Sequence, residues 1–81
     1  MQSRIGVVSI LIQGREVAQQ VNELLSTFGS LIVGRLGVPY RERGIHVIAI
    51  IVDGTTDDIG ALTGQLGKLP SVTTKSSLLT K

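Results

Sequence analysis

The chain has 81 residues, a formal net charge of +2 and no cysteine. That length reads as one small domain over residues 1–81, which buries only about 60% of its unfolded surface, so a lone copy is marginal. The composition excludes disulfides, Cys-ligated zinc and iron–sulfur clusters, and its charge is too small and too localised to point to direct nucleic-acid binding.

Arg4–Gln13 is rich in Ile, Val and Leu and reads as a first strand, broken by Gly14. It follows the N-terminus directly, so a secretory leader is not expected. No apolar run approaches the roughly 20 residues of a membrane span. The expectation is a soluble cytoplasmic protein. Arg15–Phe28 places Val17, Val21, Leu24, Leu25 and Phe28 on one helical face, with Gly29 as the C-terminal cap. Leu31–Leu36 is a second strand. Gly34–Gly44, with Pro39 and three glycines, reads as a strand end followed by a tight polar crossing. Ile45–Val52 is a third strand, turned by Asp53 and Gly54. Thr55 or Thr56 then caps a second helix, with Asp57 and Asp58 in its positive first turn. Ile59, Leu62, Leu66 and Leu69 form its apolar face, and Pro70 stops it. Val72–Leu79 is a last strand, whose mid-strand Lys75 suits a sheet edge.

This order predicts an α+β, ferredoxin-like βαββαβ sandwich. Its four-stranded antiparallel sheet carries both helices on one face, with the first and third strands central. Those two strands are apolar on both sides. Val7 and Leu11 oppose Val8, Ile10 and Ile12; Ile45, Val47, Ala49 and Ile51 oppose His46, Ile48, Ile50 and Val52. Two helices cover one face only, so the second predicts self-association as a dimer or tetramer. Ile50→Asp is expected to weaken that assembly by burying an unpaired charge. In the second helix Gly60, Gly64 and Gly67 each cost about 1 kcal/mol relative to alanine. Close helix–sheet packing, or a bared backbone surface, would offset this.

Enzymatic marks are missing. The central strands hold no aromatics for stacking bases. No Ser–His–acid set or cleft carboxylate pair is apparent, Asp57 and Asp58 diverge on the helix, and no cofactor is implied. His46, the one histidine, reads as a hydrogen-bonded interface or edge residue, or as part of a site shared between copies. No tight nickel or zinc site is expected. The candidate recognition surface is Arg35, Arg41 and Arg43, three of the eight basic residues, beside Tyr40, the single tyrosine. Planar guanidinium forks there suit carboxylate or phosphate, hence an acidic protein partner or an anionic effector. The alternative is a solvated turn or intersubunit ion pairs.

The run G-R-L-G-V-P-Y-R-E-R-G-I-H-V-I-A-I-I-V-D-G-T-T-D-D-I-G-A-L-T-G-Q-L-G-K-L-P, residues 34–70, resembles the family of proposed regulators of the iron-only hydrogenase system. The V-N-E-L-L segment, residues 21–25, fits as well. The resemblance implies a small stand-alone ACT-like domain, related in fold to the effector domain of the nickel-responsive repressor. That relative's metal site uses several histidines and a cysteine, whereas this chain has one histidine and no cysteine. It further implies a small effector, often an amino acid, near the first strand–helix loop, here Gln13, Gly14 and Arg15. The resulting expectation is a non-enzymatic regulatory module acting through oligomerisation and a partner protein. The alternative is a ligandless structural interaction protein.

Overall fold

Aliphatic residues at alternate positions build the centre of the molecule, for which a computed structural model describes residues 2–80. The order is β1 (Arg4–Gln13), α1 (Ala18–Thr27), a 3₁₀ turn (Gly29–Leu31), β2 (Ile32–Tyr40), a second 3₁₀ turn (Arg41–Arg43), β3 (Ile45–Gly54), α2 (Thr56–Gly67) and β4 (Val72–Leu78). The four strands form one antiparallel sheet in the order β2-β3-β1-β4. The expected βαββαβ architecture and the central placement of the first and third strands are therefore observed.

The core forms where one side of the sheet meets both helices. Val8, Ile10 and Ile12 of β1 and Ile48, Ile50 and Val52 of β3 are buried there. Val17, Val21 and Leu25 close over them at α1, and Ile59, Leu62 and Leu66 at α2. Each such side chain stabilises the fold by about 1.5–3 kcal/mol relative to exposure. No polar or charged residue is buried among those described. Thr55 caps α2, its Oγ1 accepting a hydrogen bond from the Asp58 backbone N–H at 3.1 Å.

Three expectations need correction. Ile50 is fully buried on the helix side, so Ile50→Asp would attack the core, not an outer interface. The outward side belongs to Val47, Ala49 and Ile51, paired with Leu11, Ser9 and Val7. The second strand does not stop at Leu36: β2 runs to Tyr40, and the crossing shrinks to Arg41–Gly44. β2 is an edge strand, the position in a sheet that tolerates a proline such as Pro39. Finally, close packing does not account for the helix glycines. A Cβ at Gly60, Gly64 or Gly67 would meet nothing within 4 Å. Among the helices of the described residues, none is long and apolar enough to cross a membrane.

Candidate functional site

The register of the central strands creates a cleft at one end of the sheet. Gln13 pairs with Ile45 and Ile12 with His46, so the end of β1 lies beside the start of β3. The chain leaves β1 through Gly14, whose φ of 99° is left-handed backbone that favours glycine. It enters β3 through Gly44, at φ 66°, whose N–H closes the 3₁₀ turn on the Arg41 carbonyl at 3.1 Å. Two turns distant in sequence are thereby brought side by side.

Between them lies a cleft of about 460 Å³ lined by Ile12, Gly14, Arg15, Ala18, Pro39, Arg41, Gly44, Ile45 and His46. Its floor is aliphatic. Its polar side chains are two guanidinium groups and one imidazole, and no carboxylate lines it. His46 is half-buried on the helix side, pressed over Gly37, where a Cβ would come within 3.2 Å of Nε2. The first turn of α1 adjoins the cleft through Ala18, whose N–H donates to the Arg15 carbonyl at 3.2 Å and so ties the β1–α1 loop to the helix start.

The structure redistributes the residues singled out from sequence. Gly14, Arg15 and Arg41 share this cleft. Gln13 instead lines an adjoining hollow of about 470 Å³ with Gly14, Arg15, Glu16, Pro70 and Ser71. Arg35 sits within β2, opposite Ile50, and its Nη2 donates to Asn22 Oδ1 on α1 at 3.0 Å. Tyr40 pairs with Ile45 at the far end of β2, and Arg43 is exposed in the turn without lining the cleft. The arginines therefore do not form one cluster. His46 beside Arg15 and Arg41 was missed by sequence reasoning. Its signal was the β1–β3 register, which strand counting alone does not set. Among the described residues, no group of three or more His, Asp or Glu is placed to hold a metal.

A second surface is the side of the sheet away from the helices. Ile5, Leu36, Val38, Val47 and Ile51 are all more than a third exposed there, Leu36 and Ile51 at 66% and 47%. Tyr40 extends it along β2.

Comparison with known proteins places the fold and the family. The chain is similar to the uncharacterized protein TM1266 from Thermotoga maritima, at 37% identity, over 96% of this chain and 99% of that one, with a TM-score of 0.94. Two more distant structures share the fold. One is the ACT domain from the GTP pyrophosphokinase of Chlorobium tepidum, at 18% identity and TM-score 0.77, over 96% of this chain and all of that one. The other is the apo form of CPII from Thiomonas intermedia K12, a nitrogen regulatory PII-like protein, at 15% identity and TM-score 0.53, with 98% of each chain covered. No curated protein sequence matches. Residues 4–76 match the model of the TM1266-like family, whose description reads "Iron-only hydrogenase system regulator, putative". The chain belongs to this TM1266-like family.

Proposed function

We propose that the protein is a non-enzymatic regulatory module that pairs through its open sheet face and passes a signal to a partner protein. In this reading residues 1–81 act as one domain. The observation that carries it is the apolar side of the sheet opposite the helices. Single exposed aliphatic residues are ordinary, but a contiguous apolar sheet face is a mark of association. The occupant that fits is a second copy. Strand spacings of about 4.8 Å and rises of about 3.3 Å give the whole four-stranded face, the polar β4 margin included, roughly 600 Å². Two such faces together would bury on the order of 1,200 Å², above the ~1,000 Å² that a specific interface needs. The aliphatic part of the face, on β2, β3 and β1, can pair with its own copy across a two-fold axis, with Thr73, Lys75 and Ser77 of β4 as a polar margin. Membership of a regulator family and the ACT-like fold support the same reading.

Sedimentation equilibrium tests it. The protein should be a dimer or larger at micromolar concentration. Ile51→Asp should return it to a folded monomer, because Ile51 is outside the core. A wild-type monomer would defeat the proposal. An effector role adds that a bound small molecule raises the melting temperature by mass action. A ligandless scaffold would show no such shift with any compound.

A further inference from the structure

We infer that the cleft between the β1–α1 loop and the β2–β3 turn takes a phosphate monoester, a dianionic head on an organic body, in preference to a zwitterionic amino acid. This deepens the effector reading above and rests on it.

Charge balance is the first argument. Arg15 and Arg41 bring two permanent positive charges to one cleft, and no carboxylate lines it to offset them. A phosphate monoester carries about −1.5 to −2 at neutral pH and matches that pair. A monocarboxylate leaves one charge uncompensated. An amino acid is worse, because its ammonium group would enter a site with two guanidinium groups and no acid. Glu16 lines the adjoining hollow that Gly14 and Arg15 also share, outside the cleft itself, and Glu42 does not line the cleft.

Geometry is the second. Guanidinium forks donate paired, parallel hydrogen bonds to phosphate oxygens, and these charge-assisted bonds are about twice as strong as neutral ones. The two forks come from separate turns, each fixed by a left-handed glycine, so they can grip one tetrahedral group from two sides. His46 supplies a further nitrogen to the same cleft.

Size and polarity are the third. A cleft of about 460 Å³ lies in the range of roughly 300–1,000 Å³ usual for small-molecule sites. Inorganic phosphate would occupy little of it. Ile12, Ala18, Pro39 and Ile45 offer the rest of the ligand an aliphatic wall.

Isothermal titration of the full chain at low salt tests the assignment. Uridine monophosphate and glycerol phosphate are the probes, with uridine as the uncharged control. Succinate, glycine and leucine represent the competing chemistries. At least one monoester should bind more tightly than succinate or either amino acid, and uridine should not bind. Arg15→Gln and Arg41→Gln should each weaken the monoester by at least about tenfold, since each removes charge-assisted bonds. Both side chains are exposed in turns, and unchanged circular dichroism would verify the fold. Tighter binding of an amino acid or succinate would overturn the phosphate assignment, as would full affinity in both variants or no binding by any probe. Sedimentation separates the two readings. A dimer that binds amino acids alone defeats this inference and leaves the association standing, whereas a monomer that binds the monoester does the reverse.

Discussion

Gly64→Ala should make the protein more stable. Gly64 lies inside α2, two turns past the Thr55 cap, and is exposed. Its backbone is not left-handed, and a Cβ there would meet nothing within 4 Å. Nothing offsets the usual cost of a helical glycine, so alanine should recover about 0.8–1 kcal/mol. Part of the gain comes from the unfolded chain, which has fewer conformations to lose. For a domain of this size, 1 kcal/mol corresponds to a rise in melting temperature of about 4–8 °C. Gly60 is equally open and one turn earlier, so the double variant should gain about twice as much. Thermal unfolding followed by far-ultraviolet circular dichroism is the assay. Protein concentration must be held constant, because association makes the midpoint concentration-dependent. A neutral or destabilising Gly64→Ala would refute the reasoning. It would mean that a partner's backbone approaches this side of α2 closely in the working assembly, the role of a bared backbone surface.

Gly6→Ala should act in the opposite direction. A Cβ there falls 2.8 Å from the Ser77 carbonyl oxygen, so β4 would have to move, at a cost of about 1–3 kcal/mol visible in urea unfolding. Thr55→Ala removes the side-chain acceptor for the Asp58 amide and should cost about 1 kcal/mol in the same assay, with Thr55→Asn largely restoring it. Ser71 holds a left-handed φ of 63° while its carbonyl accepts the Gln13 N–H at 2.9 Å. Ser71→Gly should therefore stabilise by up to about 1 kcal/mol, and a loss of stability would show that the serine hydroxyl makes a compensating contact.

The sequence by itself determined the order of elements, the two central strands, the apolar stripes of both helices and a threonine cap at Thr55 or Thr56, of which the structure uses Thr55. These are local properties: side-chain periods of two and of 3.6, a proline that stops a helix, and a hydroxyl placed to accept an amide. The repeated aliphatic pattern in Val7–Ile12 and Ile45–Val52 also announced two apolar sides. It did not say which side the helices cover, because alternation has a period but no sign. Packing decided that Ile48, Ile50 and Val52 are core and that Val47 and Ile51 face outward. Pro39 and its neighbouring glycines looked like a strand end, and only the edge position of β2 explains why the strand continues to Tyr40. The separation of Arg35 from Arg41 follows from that extension. The meeting of Arg15 with Arg41 and His46 depends on a register between strands far apart in the chain, Gln13 with Ile45 and Ile12 with His46. Side chains brought together in this way carry no local signature, so the cleft is a product of tertiary structure alone.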